Sequence, residues 1–246
     1  MKALAKSWMS VLSLLLMAVF LAPGSALAVD EIKIGVIYPL TGGAAAAGRE
    51  LRAGAELAAE IANNVMADLP MTMAQNSGVK SLGGAKIKLI FKDHEGNPTL
   101  GADQAKKLIL DDKVDGILGC YFSSVTKTVS AVCEQYGIPM INGSSTSPDL
   151  TQRGFKWFWR TTPHDKWFTK DLFELLVGLT EGKVKGVKAV PKKEIINLAS
   201  ACEKTEWGSH VSELIEEFAS EYGFKLKKSF LYAAKSADLS SEVRSL

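Results

Sequence analysis

Two hydroxyl-rich segments carry the side chains of this chain that are best suited to chemistry. Ser123 and Ser124 follow the apolar run Gly116–Gly119, and the segment Gly143–Pro148 (GSSTSP) follows the apolar run Ile138–Asn142. Hydroxyl groups bind small polar solutes, and the free N–H groups at a helix start favour an anion such as a carboxylate. Each segment alone could equally be a helix cap or a turn. Two of them at one edge of a sheet would favour a binding site.

The elements around these segments predict that they do meet. We expect a strand at Gly116–Gly119, a polar turn, a helix from about Val125 to Tyr136, and a second strand at Ile138–Asn142. A strand–helix–strand passage of this length is a βαβ crossover, so its two strands run parallel. Both hydroxyl-rich segments then lie at the carboxyl end of the sheet, where open α/β sheets bind small ligands.

The chain from Ile32 to Thr162 alternates apolar runs with helical patterns, which predicts an α/β fold with a doubly wound parallel sheet. The five predicted strands are Ile32–Leu40, Lys86–Asp93, Gly116–Gly119, Ile138–Asn142 and Phe155–Thr161. Two further helices are predicted at Arg49–Asn63 and from Asn97 to near Asp112. The expected strand order is 2-1-3-4-5.

Three loops are expected at the carboxyl edge of this sheet, namely Thr41–Gly48, Cys120–Ser124 and Asn142–Ser147. They offer hydroxyl and backbone groups but no base, acid or metal ligand, which suits binding better than catalysis. The small-residue loop Thr41–Gly48 lacks the glycine spacing of both nucleotide-binding motifs. We therefore expect no nucleotide there.

After Pro163 the strand and helix pattern starts again, which predicts the beginning of a second α/β lobe. The elements predicted for it are a helix at Asp165–Gly178, a strand at Glu194–Ser200, a helix at Trp207–Gly223, a strand at Lys225–Tyr232 and a helix starting at Ser240. We place the first lobe at residues 29–162 and the second at residues 163–246. Two strands make too little sheet to cover their helices, so we expect the second lobe to be incomplete.

The segment Met1–Ala28 has the features of a cleaved export signal. A basic start with two lysines precedes an apolar core, and Ala26-Leu27-Ala28 forms a small-x-small cleavage site. The apolar core is too short to span a bilayer comfortably, so no membrane insertion is expected after cleavage. The remaining chain has 27 basic and 27 acidic residues, and this neutral balance gives no indication of nucleic-acid binding.

The cysteines indicate neither disulfides nor a metal. Cys133 lies along a predicted helix more than about 10 Å from Cys120, beyond disulfide reach, and Cys202 belongs to a later segment. No Cys-x-x-Cys or Cys/His spacing is present. We expect three free, mostly buried thiols, no metal and no cofactor.

Several motifs occur in an order typical of one protein family. These are IKIGVIYPLTG with AGRELRAGAELAAEIAN, KDHEGNP, DGILGCYFSSVT, YGIPMINGSSTSPDLT and FWRTTPHD. On these motifs, the chain from about Ile32 to Leu246 resembles the periplasmic solute-binding proteins of branched-chain amino-acid ABC transporters. This is the leucine/isoleucine/valine-binding family, which has the type I two-lobed fold.

The resemblance implies two α/β lobes that clamp an amino acid or a related small carboxylate or amide. Ser123 is expected to bind the ligand carboxylate, and Thr146 to meet both carboxylate and ammonium. The backbone carbonyl of Ser144 is expected to accept a hydrogen bond from the ammonium. The other expected ligand-binding residues are Tyr121, Phe122, Ser145 and Trp207. Because Trp207 stands where relatives commonly carry tyrosine, we expect a ligand with an apolar or aromatic portion.

The function implied by the resemblance is that of a non-enzymatic periplasmic receptor that delivers a solute to the membrane permease of an ABC transporter. A ligand sensor of a regulatory system is an alternative, because the same fold serves both roles. A hydrolase using Ser123, Ser144 or Cys120 is less favoured, because the chain has no G-x-S-x-G elbow and no histidine in these loops.

The chain ends at Leu246, one turn into a predicted helix, and members of the family are substantially longer. Their later sequence completes the second lobe and supplies pocket residues from it. Our hypothesis from the sequence is that the chain is C-terminally truncated.

Overall fold

A computed structural model describes residues 30–234, 236 and 238–245 of the chain. The predicted export signal, Met1–Ala28, lies outside the described residues. Within them, no helix combines the length and the apolarity that crossing a membrane requires. In chain order the elements are β1 (Glu31–Tyr38), α1 (Ala45–Asn63), 3-10 turns at Thr72–Gln75 and Lys80–Leu82, β2 (Lys86–Asp93), α2 (Pro98–Leu110), β3 (Gly116–Gly119), α3 (Ser123–Tyr136), β4 (Met140–Asn142), a 3-10 turn at Pro148–Thr151, β5 (Phe158–Arg160), α4 (Asp165–Thr180), α5 (Lys192–Ile195), β6 (Asn197–Glu203), α6 (Glu206–Glu221), β7 (Lys225–Tyr232) and α7 (Ser240–Arg244).

Residues 31–160 form a parallel five-stranded sheet with its helices, which we call the five-stranded unit. The strand order is β2-β1-β3-β4-β5, which confirms the predicted order 2-1-3-4-5. Ile37 of β1 lies opposite Gly119 of β3, and Asn142 of β4 lies opposite Arg160 of β5. The carboxyl ends of the strands therefore share one edge, as predicted.

The core of the five-stranded unit lies between the sheet and helices α2 and α3, which pack against each other. Right-handed crossovers to opposite sides of β1 place α1 on the other face of the sheet. The fully buried residues of the core between the sheet and helices α2 and α3 include Ile37, Leu108, Val125, Val129, Cys133 and Met140. Burying a side chain of this size contributes about 1.5–3 kcal/mol, so this cluster is the main stabilising term of the unit.

Residues 165–232 form a second, smaller body, which we call the two-stranded unit. Strands β6 and β7 pair in parallel, and helices α4 and α6 pack together with them. The buried residues of its core are Phe173, Leu214, Phe218, Ala219 and Phe224. This parallel pairing agrees with the predicted second α/β lobe, while the boundary at residue 163 stays a prediction.

Several predicted boundaries differ from the structure by two or more residues, for example that of β5, which spans Phe158–Arg160 instead of Phe155–Thr161. Helix α1 begins at Ala45, inside the segment predicted as a loop, and α3 begins at Ser123 instead of Val125. Strand β6 spans Asn197–Glu203 instead of Glu194–Ser200, because Lys192–Ile195 forms a helical turn after Pro191. The strand was misplaced because two inward positions of β6, at residues 200 and 202, are serine and cysteine, which give a weak apolar signal.

Candidate functional site

The two hydroxyl-rich segments are joined at the carboxyl edge of the sheet by the buried amide of Asn142. Its Nδ2 donates to the carbonyl oxygens of Gly119 (2.8 Å) and Cys120 (2.9 Å) at the end of β3. Its Oδ1 accepts from the backbone N–H groups of Ser144 (3.3 Å) and Ser145 (2.9 Å). The Asn142 side chain thus links the loop after β3 to the loop after β4. The sequence predicted that these loops are neighbours but not that Asn142 connects them.

The hydroxyl of Ser145 faces the interior and not the outer edge. Ser145 is only 1% exposed, and its Oγ lies 2.7 Å from the buried Thr126 Oγ1 and 3.1 Å from the Tyr121 carbonyl. The structure therefore gives this hydroxyl a role in holding the two loops together. Any contact between Ser145 and a bound solute would have to come from its backbone.

Ser123 is the first residue of α3, and its hydroxyl meets the loop after β4. Its Oγ accepts from the backbone N–H of Ser147 at 3.4 Å, beside the Thr146 peptide. The residue before it, Phe122, takes the N-cap position and makes no side-chain cap bond. Ser123 and Ser124 are therefore not caps, and their backbone N–H groups belong to the free N-terminal end of the helix.

The other residues predicted on these loops differ in exposure. Ser144 donates from its Oγ to the Cys120 carbonyl at 2.7 Å, and Thr146 is half-buried. Tyr121 is exposed, whereas Phe122 is partly buried against the core. The rings of Tyr121 and Phe122 meet edge to face at 5.1 Å between centroids, so together they form an aromatic wall beside the loops.

Trp207 reaches the same region through a residue that sequence reasoning missed. The indole Nε1 donates to Oδ1 of Asp165 at 3.0 Å, and the Asp165 backbone N–H donates to the Thr146 carbonyl at 2.9 Å. Gly208 allows this helix start, since a Cβ there would lie 2.1 Å from the Glu203 carbonyl oxygen. Trp207 is 44% exposed.

Asp165 is a buried carboxylate with an unused oxygen. It is 4% exposed, and its Oδ2 has no hydrogen-bond partner among the described residues. The positive charge of Arg160 lies nearby, and Arg160 donates to the Ser147 carbonyl at 2.7 Å. The sequence signal available for Asp165 was its place at the end of the FWRTTPHD motif. Nothing in the spacing linked this residue to Trp207.

The predicted third loop, Thr41–Gly48, is fastened to a different strand. The Thr41 hydroxyl and the Leu40 N–H both donate to the carboxylate of Asp93 at the end of β2. Burial raises the pKa of Asp93, but these hydrogen bonds outweigh burial and hold the pKa below its usual value. Of the three loops, the hydrogen bonds between described residues therefore join only the two that follow β3 and β4.

One of the three candidate nucleophiles, Cys120, is a fully buried thiol. Burial raises the pKa of the Cys120 thiol far above its usual range, so this sulfur stays protonated. All three cysteines are free and buried, as predicted. The Nδ1 atoms of His94 and His164 accept from the backbone at Gly96 and Lys166, and the His210 ring contacts acidic side chains.

Comparisons with known proteins agree with this architecture. Residues 31–246 match the family described as periplasmic binding protein. The chain is 29% identical over 227 residues to the Leu/Ile/Val-binding protein homolog 7 of Brucella suis biovar 1 (strain 1330), covering 92% of this chain and 52% of that protein. The chain thus spans about half the length of the curated relatives it matches.

Solved structures share the fold. The leucine-binding protein LivK of Thermotoga maritima aligns with a TM-score of 0.68 at 21% identity, over 87% of this chain and 52% of that one. A solute-binding protein of an ABC transporter from Rhodopseudomonas palustris, solved with 3,4-dihydroxybenzoic acid, aligns with a TM-score of 0.69 at 18% identity, over 88% and 51%. Together, the parallel sheet, its loop-bearing edge and the match over residues 31–246 show that this chain belongs to the periplasmic binding protein family.

Proposed function

We propose that this chain is part of a periplasmic solute receptor that captures an amino acid, or a related small carboxylate or amide, between two lobes. The receptor then delivers the solute to the permease of an ABC transporter and does not transform it. The observation that carries the proposal is the joining of two hydroxyl-bearing loops beside the free start of α3, with Trp207 brought next to them through Asp165.

The ligand carboxylate would bind at the start of α3. A serine hydroxyl has one donor, and the Ser123 Oγ accepts only a long bond from Ser147, so its proton is available to an anion. The free N–H groups of the helix end and the half-buried Thr146 hydroxyl would complete the carboxylate site. A carboxylate bound in this way needs no charged side chain from the protein.

The ligand ammonium would bind on the opposite side of the same loop. The Ser144 carbonyl and the Thr146 hydroxyl are the acceptors that the family resemblance implies, and Asp165 adds a negative charge. The buried Asp165 carboxylate would attract a nearby cation electrostatically, without direct contact at its buried Oδ2 atom. We therefore favour a zwitterionic or amine-bearing solute over a simple carboxylate.

The side chain of the ligand would contact the aromatic wall. Tyr121, Phe122 and the exposed face of Trp207 offer apolar surface and few polar groups. Leucine and 3,4-dihydroxybenzoic acid, the solutes named with two similar solved structures, both combine a carboxylate with an apolar body. This pairing fits the surface beside the two loops.

A thermal-shift panel tests the proposal. Purified protein would be heated with leucine, isoleucine, valine, 3,4-dihydroxybenzoate, acetamide and urea, at concentrations up to millimolar, and each solute would be recovered and analysed afterwards. We expect an amino acid with an apolar side chain to raise the melting temperature and to be recovered unchanged, because a ligand selective for the folded state stabilises it. Chemical turnover of the bound solute, or the absence of any shift, would contradict the proposal.

A further inference from the structure

Three side chains with metal-binding atoms converge from two distant parts of the chain. Asp149 lies in the 3-10 turn after the second hydroxyl-rich loop, while Glu206 and His210 lie four residues apart on α6. One possible ligand atom from each residue lies within 4.8 Å of the others. The sequence spacing could not reveal this group, because Asp149 is remote in the chain from the other two.

The two distances from His210 to the carboxylates resemble those between the ligands of a bound zinc ion. Nε2 of His210 lies 3.2 Å from Oδ2 of Asp149 and 3.6 Å from Oε1 of Glu206. Ligands held tetrahedrally at about 2.0–2.2 Å from zinc lie about 3.3–3.6 Å apart. The two carboxylate oxygens lie within 4.8 Å of each other, so any adjustment needed to hold an ion is confined to the distance between Asp149 and Glu206.

The other ring nitrogen of His210 faces a further carboxylate. Nδ1 lies 3.6 Å from Oε2 of Glu213, on the side of the ring away from Asp149 and Glu206. Histidines that bind zinc commonly direct their second nitrogen to a carboxylate, which fixes the tautomer and orients the ring. The ring is therefore directed with Nε2 toward the two candidate oxygen ligands.

Two protein cations presently neutralise part of this group, since the positive charge of Arg153 lies near both Asp149 and Glu206 and Lys127 pairs with Glu206. Nζ of Lys127 lies 2.8 Å from Oε1 of Glu206, and the Lys127 side chain is 43% exposed. A divalent ion would compete with this ammonium for the same oxygen. Because the exposed Lys127 can turn into water, its competition weakens metal binding without preventing it, whereas the half-buried Arg153 adds a repulsion that the metal–ligand bonds must also overcome.

We propose that Asp149, Glu206 and His210 bind a zinc ion that ties the five-stranded unit to helix α6. Two oxygens and one imidazole nitrogen suit zinc and neighbouring transition metals, whereas calcium and magnesium prefer oxygen ligands alone. A fourth position is left to water. The bound ion holds the turn after the second hydroxyl-rich loop against the helix that carries Trp207.

Calorimetric titration of the metal-free, purified protein with zinc, calcium or magnesium chloride tests the site. We expect zinc to bind one ion per chain and the other two cations to give no comparable signal. His210→Ala and Asp149→Asn should each weaken zinc binding more than tenfold, and Glu213→Gln by about tenfold. Lys127→Ala should strengthen zinc binding, because it removes the competing ammonium.

Glu217→Gln is the matched control, because Glu217 is an exposed acid on the same helix and pairs with Lys166. Its zinc affinity should equal that of the unmodified protein. Circular dichroism melting curves check that each variant is folded, and Asp149 is partly exposed, so its substitution is the safer of the two. Equal binding of calcium and zinc, unchanged affinity in folded Asp149→Asn, or no zinc binding at all would overturn the proposal.

Discussion

The five-stranded unit and the two-stranded unit bury their polar groups differently. In the first, Asn142 connects two loops through backbone carbonyl and N–H groups at the edge of the sheet. In the second, the partly buried hydroxyls of Ser200, Ser212 and Ser229 bond mainly to one another. The first arrangement fixes the edge where we propose that a solute binds, whereas the second stabilises the packing of α6 on its sheet.

The two units also differ in how completely their apolar faces are covered. The main core of the five-stranded unit includes residues of four strands and two helices, whereas a short sheet of two strands supports the core of the two-stranded unit. Within the described residues, four large side chains on α4 remain about half exposed, namely Trp167, Phe168, Leu172 and Leu175. Because two-stranded sheets are marginal alone, we expect the two-stranded unit to be the less stable.

The largest expected change in the relative stability of the two units is that caused by Phe173→Ala. Phe173 is 1% exposed and contacts the rings of Phe218, Tyr222 and Phe224. Removing its ring should destabilise the two-stranded unit by about 3–5 kcal/mol. Hydrogen exchange should then speed up in α4, α6, β6 and β7 while β1 and β3 keep their protection.

Leu172→Ala is the control for this experiment, since the neighbouring side chain is 48% exposed and should matter little. An equal loss of protection in β1 and β3 after Phe173→Ala would mean that the two units unfold together. The contrast between them would then concern packing only and not stability.

Acid should reduce the difference in stability between the two units, because it should destabilise the five-stranded unit. His94 is fully buried, and burial lowers its pKa to about 4, although the charge of Asp93 opposes this. An unfolded histidine titrates near pH 6.5, so between about pH 6.5 and 4 the unfolded chain binds a proton that the folded chain does not. The free energy of unfolding should therefore fall as the pH falls through this range, by up to about 3 kcal/mol.

Urea unfolding at several pH values, for the unmodified protein and for His94→Gln, measures this effect. The pH slope should be smaller in the variant, whatever its absolute stability. Asp93 acts in a separate window, since its lowered pKa makes its contribution disappear only below about pH 4. The same slope in both proteins between pH 6.5 and 4 would show that His94 does not stay neutral in the folded state.

Asn142→Ala tests whether the edge network stabilises the five-stranded unit. The change removes the Asn142 donor from the Gly119 carbonyl and the acceptor from the Ser145 N–H, which should cost about 2 kcal/mol, while the Cys120 carbonyl keeps the Ser144 hydroxyl. Asn64→Ala is the control, because the exposed Asn64 amide bonds only to the nearby Glu60 carbonyl. Chemical denaturation that gives equal, small losses for both variants would contradict the role assigned to Asn142.

The smallest effect should come from Ser123→Ala, which tests whether the edge of the five-stranded unit binds the ligand carboxylate. Losing one hydroxyl donor to a ligand carboxylate should reduce the affinity for the best ligand of the solute panel about tenfold, or about 1.4 kcal/mol. Ser124→Ala removes the same group one residue further along α3 and should leave the affinity unchanged. Calorimetry that finds equal affinities in the two variants would move the carboxylate site away from Ser123.

Much of the fold could be read from the sequence, because strand order depends on a local alternation of apolar runs and helices. Strands β3 and β7 were predicted at their observed limits, and the 2-1-3-4-5 order follows from the crossovers. The two hydroxyl-rich segments were also identified correctly as neighbours. Boundaries failed where polar residues face inward, as at Ser200 in β6, because periodicity detects apolar burial only.

The sequence by itself determined the parallel sheet, the edge that carries the loops and the presence of Trp207 at the start of a helix. Only the tertiary structure decided which hydroxyl faces inward, since Ser145 is set by Thr126 and Asn142 and not by its neighbours in the loop. It also decided that Asp165 links Trp207 to Thr146 and that His210 lies beside Asp149. These partners come from different elements of the chain. Because buried polar groups are almost always hydrogen-bonded, the orientation of each side chain depends on which partners the fold brings near it, and the local sequence does not show them.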